Sequence, residues 1–265
     1  MKNLLASVLL FSLLSACKGN PETNAAGDTT NHSQSNEKMS SNASSAGSGN
    51  CASLLLFKEG AVINGHTLDA DGKETQTSVT TVTKVSNVNG SEVSEVEMKT
   101  HSTMLGDKTF TGKYMCDGKM LSYDLSGMLA GLQKAGAKFE TPIVQFPISV
   151  TDGETLPDAN YSFTMAMGSK TLTVHCTIKN RKVVAKESVT TPAGTFEAYK
   201  ITSETETQTD FGGMDEKTKA MMDAVKSKTP KISYVMWYVP NITVVKMQII
   251  TGDKVSSTTE ITAIK

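Results

Sequence analysis

From residue 51 onward, apolar and polar positions alternate in short bursts, and a period of two predicts strands. The clearest burst sets Tyr161, Phe163, Met165 and Met167 on one face and Ser162, Thr164 and Ala166 on the other. That is the pattern of a strand with one buried and one wet face. Val245, Met247 and Ile249 repeat it more weakly, and a last strand is expected from about Val255 to Ile264. Between the bursts stand Asp71-Gly72, Asn89-Gly90, Asp117-Gly118 and Gly252-Asp253, pairs that supply the positive φ of tight hairpin turns. Two stretches change to helical spacing. Leu125, Met128, Leu129 and Leu132 follow a capping Asp124, with Gly127 and Gly131 weakening the helix. Met214, Thr218, Met221, Met222 and Val225 have Asp215 and Glu216 in the first turn and Lys226 and Lys228 in the last, with Pro230 as the stop. The pattern predicts a mainly β (α+β) body over residues 51–265. Its core would be a large curved antiparallel sheet or half-barrel with two short helices packed on one face, and a sandwich is the alternative.

The first fifty residues read differently. Lys2 precedes an apolar run from Leu4 to Leu14 that is too short to span a bilayer, as in a secretion signal. The run ends in Leu14, Ser15, Ala16 and Cys17, which resembles a bacterial lipobox. The resemblance implies that residues 1–16 are removed and that Cys17 is lipidated, its acyl chains anchoring the chain to a membrane. Lys18, with no Asp at that place, resembles the sorting pattern of lipoproteins that move on to the outer membrane. Lys18 to Asn50 holds no Val, Leu, Ile or aromatic residue, so it cannot bury enough surface to fold and is expected to be a tether reaching about 30 Å.

Composition narrows function mainly by exclusion. The 265 residues carry 26 Lys plus Arg against 27 Asp plus Glu, a net charge of -1, which argues against a nucleic-acid partner. Arg181 is the single arginine, so no arginine cluster exists to grip phosphates or carboxylates. His32, His66, His101 and His175 show no zinc spacing, and Asp69, Asp71, Gly72 and Glu74 lack the remaining ligands of a calcium loop. No Gly-x-Ser-x-Gly elbow or phosphate loop is visible. His175 and Cys176 are neighbours, but adjacent side chains of a strand point to opposite faces. No catalytic residue, cofactor or metal is expected, and the chain is read as a non-enzyme.

Beyond Cys17, the cysteines Cys51, Cys116 and Cys176 are an odd set, so one is left over in an oxidising compartment. Sequence does not fix the connectivity. Cys51 opens the body and Cys116 closes a hairpin turn, so a Cys51–Cys116 bridge with Cys176 reduced is the expected pairing.

The run Asn180 to Val183, then Lys186 to Phe196, then Tyr199, Lys200 and Ile201, resembles a TapB-like family of secreted envelope proteins, related to a domain of unknown function. Supporting pieces are Lys58 with Gly60, Cys116-Asp117-Gly118, Phe146-Pro147, Gly153 with Leu156-Pro157-Asp158, and Trp237-Tyr238 with Val245-Lys246. The chain departs from the pattern at Ala61, Val62 and Ile63, where aromatic residues are usual, and at Ala198 in place of a Cys. The resemblance implies a β-rich periplasmic-type domain, similar to half-barrels that cup acyl chains, and carries no activity. Two functions follow as expectations. One is a membrane-anchored binder of an apolar or lipid-like ligand, its groove lined by Tyr161, Phe163, Met165, Met167, Met221 and Met222. The other is a structural or protein-interaction lipoprotein with a filled interior and an envelope protein as partner.

Overall fold

A computed structural model describes residues 50–134, 137–140, 143–167, 170–212 and 231–265. The signal segment, Cys17, the tether and the expected second helix with Met221 and Met222 lie outside the described residues.

The strands are β1 (Val62–Asp69), β2 (Glu74–Val88), β3 (Ser91–Ser102), β4 (Gly106–Cys116), β5 (Met120–Asp124), β6 (Lys138–Glu140), β7 (Ile143–Pro147), β8 (Ala159–Met167), β9 (Lys170–Thr191), β10 (Gly194–Gly212), β11 (Ile232–Val239), β12 (Thr243–Thr251) and β13 (Lys254–Ile264). All thirteen belong to one sheet in the order β6-β8-β9-β10-β11-β12-β13-β1-β2-β3-β4-β5-β7. Every pairing is antiparallel. The sheet is two meanders joined where β13 meets β1, with Glu260 opposite His66. Of the expected turn pairs, only Asn89-Gly90 has positive φ at both residues, 51° and 84°, as a type I′ hairpin requires. At Asp71-Gly72 the glycine alone is positive, and Asp69 Oδ1 accepts from the backbone N–H groups of Asp71 and Lys73 instead.

The expected helical layer is corrected. Strand makes up 73% of the structure, and among the described residues the α-helix is α1 (Ser126–Lys134), lying against β4. Asp124 Oδ1 accepts the Ser126 N–H at 2.8 Å, the cap the sequence suggested. Gly127 is there for contact: a Cβ would sit 1.7 Å from the Thr111 carbonyl oxygen. Among the described residues, no pair of packed helices covers the sheet. Its apolar face is covered by pieces too short to show any periodicity. These are the single-turn 3-10 helices Cys51–Ser53 and Leu55–Phe57, and the segment 148–157.

The two ends of the sheet come back together. Gly153, Leu156 and Val183 exchange backbone hydrogen bonds with β9 and the covering segment at 2.8 to 3.0 Å. Arg181 on β9, only 2% exposed, donates to the Pro157 carbonyl at 2.7 Å and to the Gln145 carbonyl on β7 at 3.0 Å, and its guanidinium lies 4.8 Å from the Phe146 ring. The lone arginine therefore joins β9 to an edge strand lying far from it in the hydrogen-bonded order. Burial lowers its pKa, against which Asp158 acts.

Candidate functional site

The expected groove splits into parts the structure places and parts it does not. On β8, Tyr161 and Phe163 are buried and Met165 is half-buried. They pack with Val174, Cys176 and Ile178 of β9 and with Phe139 of β6, whose ring centroid is 5.6 Å from that of Phe163. This is a local core made by three neighbouring strands. The side chain of Met167 lies outside the described residues, as do Met221 and Met222, so no helix is seen to complete a groove there. Cys176 is free and buried while His175 is exposed. Burial pushes the thiol pKa up, partly opposed by hydrogen bonds with Tyr161 and Thr207, so it is a poor thiolate source.

The centre of the molecule is elsewhere. Asn50 Oδ1 caps the first 3-10 turn by accepting from Ala52 N at 3.1 Å, and the Leu55 N–H donates to the Asn241 carbonyl in the β11–β12 turn at 2.9 Å. So held, the segment Cys51–Phe57 presents Leu54, Leu56 and Phe57, each no more than 5% exposed, to a cluster that includes Ile63, Val189, Ala198, Trp237, Val245 and Ile261. Those six residues come from β1, β9, β10, β11, β12 and β13. The segment is thus a plug, and Cys51 is disulfide-bonded to Cys116 at the end of β4. Burying three such side chains stabilises by about 5 to 9 kcal/mol, while ordering seven residues of backbone costs about 7 to 14 kcal/mol. The two nearly cancel, so the cross-link decides how firmly the plug sits. Nothing in the sequence periodicity marked Leu54, Leu56 and Phe57 as central; the only signal was the Cys that opens the body.

Charge is organised in one other place. Trp237, the chain's single tryptophan, donates from Nε1 to Glu187 Oε1 at 2.7 Å and lies between the ammonium groups of Lys200 and Lys246, 5.4 and 5.8 Å from the ring centroid. Lys246 continues to Glu260 at 2.7 Å, and Glu260 to His66 at 3.8 Å. His66 in turn meets Glu74 at 3.2 Å. The row crosses seven strands, from β9 to β2. The Trp237 hydrogen bond, then Lys200, hold the Glu187 carboxyl below its ordinary value. Each positive group already has a carboxylate partner, so the row ties strands together and leaves no free cation aimed at a ligand.

Elsewhere the described residues form a shallow, open depression of about 280 Å³, lined by residues such as Thr77, Val79, Lys99, His101, Asp107 and Thr109. His101 and Asp107 pair across it at 2.7 Å, both largely exposed. Among the described residues, no group of three or more His, Cys, Asp or Glu could hold a metal ion.

No curated protein matches the chain. Two solved structures do. One is a protein of Bacteroides fragilis NCTC 9343 inferred to be exported, with a YmcC-like fold. It is 17% identical with a TM-score of 0.54, over 78% of this chain and 96% of that one. The other is an inferred lipoprotein of Parabacteroides distasonis ATCC 8503, also 17% identical, with a TM-score of 0.57 over 79% of this chain and 96% of that one. Both share the fold. A model of the DUF3108-like family matches residues 58–261, beginning directly after the plug and ending within β13, and the chain belongs to that family.

Proposed function

We propose that the chain is a bacterial envelope lipoprotein of the TapB-like kind, anchored through lipid on Cys17 and placed in the outer membrane, and that its β body is a non-enzymatic interaction or structural module working through its surface. The observation that carries this reading is the plug. A carrier of acyl chains needs an empty trough, and here Leu54, Leu56 and Phe57 fill the apolar cluster built by β1 and β9 to β13. The lipobox-like Leu14 to Cys17 and the exported and lipoprotein descriptions of the two structural relatives support the location. Absence of a positioned nucleophile and base in the sequence motifs supports the non-enzymatic part.

Native mass spectrometry of the mature protein from the envelope tests the role. The expected spectrum shows the body at the mass of its own chain plus the N-terminal lipid. A stoichiometric co-purifying apolar ligand would return the carrier reading. Location is tested separately, because Cys17→Ala should abolish palmitate incorporation and signal removal, and retention of both would remove the anchor.

A further inference from the structure

The plug and its disulfide together form a device that neither the fold nor the family description assigns. We propose that the Cys51–Cys116 bond is a latch, and that its reduction releases the segment Cys51–Phe57 from a body that stays folded, uncovering an apolar trough. Three observations carry this. First, apart from the disulfide, the segment is held by the side chains of Leu54, Leu56 and Phe57, by the half-buried Leu55 against Val82 and Val96, and by the Leu55 to Asn241 hydrogen bond, a set of contacts that roughly balances the entropy of ordering it. Second, the sheet hydrogen bonds by which the body closes on itself begin at Gly60 and Ala61, which pair with Val82, and none of them passes through residues 51–57. The body can therefore lose the segment without losing a strand. Third, the seat beneath is built by distant strands, since Ile63, Val189, Ala198, Trp237, Val245 and Ile261 belong to the cluster that the plug completes. Chain order adds a consequence. The plug precedes every strand, yet its seat needs β9 to β13, so it can dock only after the C-terminal strands have paired, and the latch closes last.

The chemistry is ordinary exchange. A thiolate of a small or protein dithiol attacks the sulfur of Cys51, which is 7% exposed against 1% for Cys116. Cys116 leaves as thiolate and is protonated. The second thiol of the reductant then displaces Cys51 as a thiol, so two electrons and two protons pass to the cysteines and the reductant ends as a disulfide. This inference needs only the folded, oxidised body and stands apart from the envelope role proposed above.

Hydrogen exchange of the full mature chain tests it, oxidised, reduced with dithiothreitol, and as the Cys51→Ser/Cys116→Ser double variant. A hydrophobic dye, anilinonaphthalene sulfonate, is read in parallel. The expected result is at least tenfold faster exchange at residues 52–58 in the reduced and double-serine forms, unchanged protection in β9 to β13, and a several-fold rise in dye fluorescence. Equal protection of 52–58 in all three forms would overturn the latch. So would simultaneous loss of protection across the whole sheet, because the segment would then be no separable part. An absent exchange difference in the double variant, with one present on reduction, would also overturn it by assigning the effect to the reductant.

Discussion

Two of the apolar clusters formed by the described residues are similarly buried and differ in what they connect. The one around Phe163 gathers β6, β8 and β9, residues that are near one another in sequence. The one around Phe57 gathers residues from Cys51 to Ile261 and is covalently tied to β4. The first can loosen while the meander of β10 to β13 persists; the second is where the two meanders share a core. Burial alone does not distinguish a local patch from the element that closes a sheet. Connectivity does.

Truncations should separate them. Trp237→Ala, in the seat beneath the plug, is expected to cost about 4 to 5 kcal/mol, at the upper end for a buried aromatic residue because its neighbours come from strands that cannot all move in. Phe163→Ala should cost less, about 3 kcal/mol, since three adjacent strands can partly collapse into the space. Denaturant midpoints with unchanged slopes read both. Equal losses would erase the contrast between local and closing core.

Arg181→Lys sharpens the comparison at the seam. The planar fork reaches two carbonyls on different segments at 2.7 and 3.0 Å, and an ammonium on a flexible stem cannot hold both while lying over Phe146. A loss of about 1 to 3 kcal/mol is expected. An unchanged midpoint would show that β7 and β9 are held together without it.

Gly127→Ala should act on the helix edge alone. The added Cβ meets the Thr111 carbonyl, so α1 must shift from β4, costing about 1 to 2 kcal/mol as an overpacked contact. The stacked rings of Tyr114 and Tyr123, 4.5 Å apart, should report the shift in near-ultraviolet circular dichroism. The smallest effect is on acidification. Glu187 has a folded pKa below the ordinary 4.5, so its stabilisation is complete above that value and is lost as pH falls through the lower folded midpoint. Since Trp237 is the single tryptophan, its emission should change with a midpoint below 4.5, and Glu187→Gln should remove that step.

Much of the sheet was legible in the residues. The alternation at Tyr161 and Phe163, the last strand, and the turn at Asn89-Gly90 are local signals, and local physics writes them into the sequence. The helical layer departs from its sequence pattern because Leu125 and Leu129 do mark a helix, capped by Asp124, but a nine-residue one docked at β4 and not a cover for the sheet. The actual cover was invisible for the same reason it works. Leu54, Leu56 and Phe57 sit in single turns with no repeat to detect, and their partners lie up to two hundred residues away. In the sequence Arg181 stands out only as an isolated arginine. Its two carbonyl partners depend on the sheet closing, which no local pattern encodes.

The most direct measurement of a filled interior uses Trp237, which lies in the plugged cluster and is 8% exposed. Energy transfer from it to a fluorescent polyene fatty acid, titrated into the oxidised full-length mature protein, reports any acyl chain entering that space. A seated plug predicts no saturable transfer up to the solubility limit of the probe. Saturable transfer with one probe per chain would contradict it.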